Sequence, residues 1–202
     1  MKRIAVLISK AGLGTNLQAI IDGVKSGKIN GFVVVVISDI ENAYGLTRAQ
    51  KNNIPTEISP DKEDLFNLLK EYNVDFVVLA GWKQFLTKDV MNAYQNKIIN
   101  LHPGLIPDDS NGVVVNPDGT KGLWNKKMFT TKALQNYLDN HATYAGSTIH
   151  FLSDEVDFGP VLGRCFEKIQ NNDTVDSLYT RLKIKENQLY VMVLAKLCKE
   201  GK

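Results

Sequence analysis

Short Val- and Ile-rich runs alternate along this chain with amphipathic stretches of helical length, and that alternation restricts the fold more than any other feature. Runs at residues 3–9, 31–38, 75–80 and 97–102 read as strands; the second, with Phe32, Val33, Val34, Val35, Val36 and Ile37 in succession, is apolar on both faces, as buried parallel strands are. Stretches at 16–25, 43–52, 61–72 and 88–94 read as helices, the third showing a stripe of Leu65, Leu68 and Leu69 with Asp61 at the N-cap position. A short strand is expected at 56–58. Strand–helix–strand repetition of this kind predicts an α/β fold, an open, mostly parallel twisted sheet with helices on both faces, Rossmann-like in plan.

The pattern changes after His102. Residues 103–127 are rich in Gly, Pro, Asn and Asp and show no period, so they read as a long loop that is functional, mobile or a fixed excursion with Val113 to Val115 as one strand of a small hairpin. A helix at 131–140, strands at 147–152 and 161–169, and a long helix at 174–199 complete the chain. The chain reads as a single domain over 1–202, with a doubly wound half at 1–102 and a second half at 103–202.

Bulk properties exclude several classes. A net charge of +2 without a Lys/Arg cluster argues against nucleic acid, and no apolar run is long enough to span a bilayer. The strand-like 4–8 run is too short for a signal-peptide core, and the two cysteines, Cys165 and Cys198, lie far apart. With three histidines and no cysteine cluster, no metal site is expected, and the expected location is cytoplasmic.

Three places carry residue types suited to chemistry. The turn from Ser9 to Asn16, with Gly12 and Gly14, joins the first strand to the first helix, where backbone N–H groups and the helix dipole favour an anion. A plain strand–helix turn fits it equally, and Gly12-x-Gly14 with Asp39 weakly suggests a dinucleotide site that Leu17, at the third glycine position, does not complete. The second place is Asn100-Leu101-His102-Pro103. Side chains two apart share a face of a strand, and Pro103 ends it, so an amide and an imidazole project at the C-terminal edge where parallel sheets bind ligands. That set suits acyl transfer, although a capped strand end would look the same. The third is Asp157, in a turn before Gly159 and Pro160, which either begins a hairpin or supplies a carboxylate that fixes the His102 tautomer. His150 would orient that turn, His141 belongs to a surface loop, and Trp124 is the likelier substrate contact of the two tryptophans.

Taken together, these residues carry a resemblance. The runs Ile4 to Ser9 and Thr15 to Asp22, Val77 to Gly81, Asn100-Leu101-His102-Pro103 with Pro107, Gly146 to Pro160, and Arg181, Lys183 and Glu186 follow in order over nearly the whole chain. The chain resembles the phosphoribosylglycinamide formyltransferases (GAR transformylases), folate-dependent formyltransferases of purine synthesis. The resemblance implies transfer of a formyl group from 10-formyltetrahydrofolate, a co-substrate, to the amine of 5-phosphoribosylglycinamide, without a metal. It implies Asn100, His102 and Asp157 as the catalytic trio. Gly14, Thr15, Asn16, Gly81, Lys83, Pro103, Lys183 and Glu186 would bind the phosphorylated substrate, and Gln84, Phe85, Leu86, Leu152, Ser153, Asp154 and Glu155 the folate. The first half would then be the phosphate-binding half and the second the folate-binding and catalytic half. Its partners would be small molecules, with no nucleic acid and no membrane, and a homodimer is admitted.

Three features depart from the family pattern. Lys10 to Leu13 lengthens the phosphate turn, Lys83-Gln84 stands where the family has Met-Arg, and residues 108–127 form a longer segment without Tyr-Pro-Gly. A different amine acceptor, or water as in a formyltetrahydrofolate hydrolase, stays open beside the main reading. A non-catalytic nucleotide-binding module built on the Gly12-x-Gly14 turn is the reading from another class.

Overall fold

The computed structural model describes residues 1–9 and 13–199, apart from the side chains of Lys62 and Glu63. The described strands are β1 (Lys2–Ile8), β2 (Gly31–Ser38), β3 (Thr56–Ile58), β4 (Phe76–Leu79), β5 (Ile98–His102), β6 (Tyr144–Phe151) and β7 (Val161–Lys168). The helices are α1 (Thr15–Lys25), α2 (Tyr44–Lys51), α3 (Lys62–Glu71), α4 (Lys88–Ala93), α5 (Thr130–Asp139) and α6 (Val175–Lys199). The chain divides into two compact units, one of Met1–Asn100 with Tyr190–Lys202, the other of Leu101–Leu189.

In the first unit the strands run in the order β3-β2-β1-β4-β5, and every pair is parallel. The apolar runs dictate this. Ile4 to Ile8 are all buried, as are Val35 to Ile37 and Val77 to Leu79, so both faces of the central strands are covered. Leu17, Ile20 and Ile21 of α1, and Leu65 and Leu69 of α3, are buried at helical spacing. Strand order reverses between β1 and β4, and the loops leaving their C-terminal ends flank the crevice where open α/β sheets take ligands. Asp61 is the N-cap of α3, but its side chain makes no capping bond; the Asp64 N–H is instead donated to the Asp61 backbone carbonyl at 3.2 Å. The N-cap position read for Asp61 from the sequence is thus borne out.

In the second unit, β6 and β7 form an antiparallel pair, Ser147 opposite Cys165 and Thr148 opposite Arg164. The strand expected from 147 starts at Tyr144, because Ala145 and Gly146, poor strand formers in isolation, are paired by β7. The segment after His102 is more regular than its composition suggests. Val115 bridges Lys121, the Gly122 N–H is donated to Val114 O at 2.8 Å, and the Asn116 N–H to Thr120 O at 2.8 Å. A small hairpin thus replaces the open loop, in agreement with the reading of Val113 to Val115 as one strand. Leu105 and Ile106, buried beneath it, tie its base down, with the Leu105 N–H donated to Leu123 O at 2.9 Å.

Candidate active site

In the first unit the turn after β1 prepares a helix N-terminus. Gly14 is the N-cap of α1 in the left-handed region, φ 65°, and a Cβ there would stand 3.1 Å from Gly45 Cα and 3.2 Å from Arg48 Cδ. No side chain caps α1, so the backbone N–H groups of its first turn, Thr15 and Asn16 among them, have no intrahelical acceptor. Arg48 fixes the turn from outside by donating Nε to Leu13 O at 2.7 Å. Gly12, Lys10 and Ala11, which entered the sequence reading of this turn, lie outside the described residues.

The loops after β1, β2 and β4 meet at Ser9. Its hydroxyl donates to Asp39 Oδ2 at 2.7 Å and accepts the Lys83 N–H at 3.1 Å. Three buried atoms in these loops and the adjoining start of α1 (Asn16 Oδ1, Asp39 Oδ1 and Trp82 Nε1) make no hydrogen bond within the protein. Buried polar atoms are rarely left so, and a polar ligand is one way to satisfy them. Gly81, φ 95°, has no atom within 4 Å of a Cβ position, so the backbone after β4 is open. Gln84 donates to Pro60 O at 3.4 Å, Phe85 is 79% exposed, and Leu86 is half-buried.

Asn100 is paired with Leu79 of β4 in the sheet, and His102 follows two residues later on β5, so the strand repeat directs both side chains to one side. His102 is buried, 2% exposed, while Asp157 facing it is 20% exposed. The Nδ1 atom lies 3.4 Å from Asp157 Oδ1, and Nε2 lies 2.7 Å from the carbonyl oxygen of Trp124. Asp157 is held from two more directions: Lys127 donates its backbone N–H to Oδ2 at 2.6 Å, and the Trp124 indole donates to the Asp157 carbonyl at 2.9 Å. Burial alone would raise the Asp157 carboxyl, but the His102 ring and the Lys127 N–H hold it below the ordinary carboxylate value. His150 lies on β6, wholly buried, with Nδ1 2.9 Å from Phe151 O; burial pushes its pKa down to about 4 and leaves it neutral.

Of the remaining predicted residues, Glu186 is 1% exposed and accepts from Ser147 Oγ at 2.6 Å and from Lys183 Nζ at 2.9 Å. Burial pulls the Lys183 ammonium down, yet Glu186 and Tyr179 beside it more than offset that and raise it. Ser153 closes the turn after β6, donating to Phe158 O at 2.8 Å and accepting the Glu155 N–H at 3.2 Å. Glu155 pairs with Lys126 at 2.7 Å, Leu152 is half-buried, Asp154 is exposed, and the Pro103 carbonyl accepts from Asn125 Nδ2 at 3.2 Å. Trp124, expected as a substrate contact, is half-buried and packs its ring on Phe158, 5.7 Å between centroids, with Lys126 Nζ 4.6 Å above it. His141 is an exposed loop residue, as expected. Sequence reasoning missed Asn125 and Lys127, which act on the site through a carboxamide in the loop and a backbone N–H; only the run of turn formers hinted at them. Among the described residues no group of three or more His, Cys, Asp or Glu is placed to hold a metal, and no helix is long and apolar enough to cross a membrane.

Residues 2–194 match the Formyl transferase family, and the chain belongs to it. Within that family it is 32% identical over 98% of its length to the chloroplastic phosphoribosylglycinamide formyltransferase of Arabidopsis thaliana, and it spans 66% of that relative. It is 33% identical over 96% of its length to the phosphoribosylglycinamide formyltransferase of Haemophilus influenzae, covering 86% of it. The crystal structure of glycinamide ribonucleotide transformylase 1 from Symbiobacterium toebii superposes with a TM-score of 0.82 at 33% identity, covering 98% of this chain and 88% of the other. The α/β class with an open, mostly parallel sheet, expected from the sequence, is thereby borne out.

Proposed function

We propose that this chain transfers the formyl group of 10-formyltetrahydrofolate to the amine of 5-phosphoribosylglycinamide, a step of purine biosynthesis. The observation that carries the reading is the pairing of His102 with Asp157 at the end of the strand that bears Asn100. The substrate amine attacks the formyl carbon, and negative charge develops on the formyl oxygen. Asn100 donates to that oxygen, and a protonated His102 lowers its energy by charge. The attacking nitrogen gives up a proton, which Asp157, the more exposed of the pair, accepts through water. The C–N10 bond then breaks, and N10 of the folate leaves with the proton that Asp157 received, returned through the same water.

Gly14, Thr15 and Asn16 supply the phosphate-binding helix start, with Gly81, Lys83, Pro103, Lys183 and Glu186 as the remaining substrate residues. Gln84, Phe85 and Leu86, and the turn of Leu152, Ser153, Asp154 and Glu155, are assigned to the folate. The exposed ring of Phe85 and a turn already braced by Ser153 suit a flat heteroaromatic ligand, which needs an apolar face and a polar edge.

A turnover assay tests the reading. With 10-formyltetrahydrofolate and 5-phosphoribosylglycinamide present, tetrahydrofolate should appear only when the amine does, and His102→Ala should lower kcat by roughly two to four powers of ten. Folate release at the same rate without the amine would replace transfer by hydrolysis, and release only with another amine would change the acceptor.

A further inference from the structure

We propose that Asn125 is a positioning residue for His102. It holds the Trp124 carbonyl on Nε2, so that Nδ1 is the ring nitrogen left to exchange a proton with Asp157. The inference rests on the proposed proton role of His102 and Asp157. A carbonyl oxygen has no hydrogen to give, so at 2.7 Å the Nε2 atom must be the donor. The protonated ring donates from both nitrogens; once it gives up a proton, the N–H that stays is on Nε2 and the bare nitrogen faces Asp157 Oδ1 at 3.4 Å. Left to itself the choice would go the other way. A carboxylate accepts more strongly than a carbonyl, and a ring beside one ordinarily turns its N–H toward it. Here one carboxylate oxygen is committed to the Lys127 N–H, Oδ2 at 2.6 Å, and the carbonyl sits closer to the ring than the other oxygen does, 2.7 against 3.4 Å. His150, the other titratable group near the pair, is neutral.

Beside the Trp124 indole on the Asp157 carbonyl and the Leu105 N–H on Leu123 O, one buried side chain ties the segment that carries this carbonyl. Asn125 is buried and in the left-handed region, φ 56°. Its Nδ2 donates to Pro103 O at 3.2 Å and to Ala133 O at 3.3 Å, and its Oδ1 accepts from Asn136 Nδ2 at 2.9 Å. The 124–127 segment is therefore tied at once to the residue after His102 and to α5. Gly104 leaves no slack: a Cβ there would collide with Trp124 O and stand 2.7 Å from His102 Nε2.

Nitrogen-15 NMR of the full chain labelled at histidine, at alkaline pH, reads the tautomer directly. The wild-type protein should show His102 protonated at Nε2 and bare at Nδ1. Asn125→Gly keeps the backbone conformation and removes the side chain; it should move the proton toward Nδ1. It should also lower kcat on the order of 10- to 100-fold, with KM for both substrates within about threefold. Asn125→Asp retains the acceptor toward Asn136 and loses both donors, and Asn136→Ala removes one tie; both should shift the same signal less, and they carry the test if the glycine variant does not fold. A wild-type ring protonated at Nδ1, or an Asn125 variant with reduced kcat and an unmoved tautomer, overturns the proposal. His102→Ala with undiminished turnover would instead remove the catalytic reading and leave the tautomer result standing.

Discussion

Lys127 and Asp157 meet in a short hydrogen bond, backbone N–H to Oδ2 at 2.6 Å, and both hold left-handed backbone angles, φ 63° and 54°. A non-glycine residue there is disfavoured on its own, and two bonded to each other imply that the surroundings enforce the geometry. The consequence is a carboxylate with one oxygen committed to the backbone and the other turned to His102. Such strain is found where a functional group must be aimed.

Replacement of Asp157 separates backbone from charge. Asparagine tolerates the left-handed region, so Asp157→Asn should fold with little loss, whereas Asp157→Ala should lose about 1 kcal/mol more in chemical denaturation. Both should lower kcat by roughly two to four powers of ten. Equal stability of the two variants would show that the backbone angle imposes no cost.

The lowered Asp157 carboxyl predicts a pH dependence with a definite sign. A carboxyl depressed in the folded state contributes stability that is fully present above its unfolded value, near 3.8, and is lost as pH falls through the folded value. Asp173 and Glu167, both lowered despite opposing burial (Asp173 chiefly by its bond to Arg181, Glu167 by Arg181 and Lys185), lose stability over the same acid range. A comparison with Asp157→Asn isolates the one group. The difference in Tm between wild type and Asp157→Asn should be constant near neutrality and shrink toward zero as the pH drops below about 4. A difference that persists at low pH would mean that Asp157 stabilises by shape rather than by charge.

The first unit was legible because its strands are buried on both faces: Ile4 to Ile8 and Val35 to Ile37 can be little else. The His102–Asp157 pairing was legible in residue type, through the strand repeat and a turn aspartate. It was not legible in geometry, because Nε2 is engaged by a main-chain carbonyl, and every residue has such a carbonyl to offer. The hairpin after His102 was legible only as one of several readings of its segment, for a related reason. Its ladder runs through Asn116, Thr120 and Gly122, residues whose side chains signal turns while their backbones pair.

Lys183 and Glu186 should prove unequal in stability. Glu186 is buried and depends on Ser147 and Lys183 for its partners, while Lys183 is one-fifth exposed and can turn to water. Lys183→Met strips a buried carboxylate and should cost up to about 3 kcal/mol; Glu186→Gln keeps an acceptor for Ser147 and should cost less. The double variant should lose less than the sum of the two, a coupling that denaturant titration resolves. If both residues also bind the phosphorylated substrate, its KM should rise in each single variant while the KM for folate stays within about twofold. Additive losses would deny that the pair acts as a unit.

The hairpin at 114–122 divides into a tip and a base with different expected roles. At the tip, Pro117 to Thr120 is exposed, Gly119 is at φ 86°, and the link to the rest of the unit is Thr120 Oγ1 to Thr143 Oγ1 at 2.7 Å, an exposed bond of small net worth. At the base, Gly122 packs so closely that a Cβ would stand 2.6 Å from Leu105 Cδ1, and the next two residues carry the chain to the His102 ring. Replacing residues 117–120 by a two-residue Asn-Gly turn should therefore leave Tm and kcat nearly as in wild type, because the paired backbone at Val115 and Lys121 still closes. Gly122→Val should instead displace Leu123 and Trp124, loosen the carbonyl from Nε2, and lower transfer at least about tenfold. If the segment also excludes water from the reacting carbon, the same variant should release tetrahydrofolate without amine faster than wild type does. A tip replacement that abolishes transfer while the protein stays folded would move the functional part of the segment from the base to the tip.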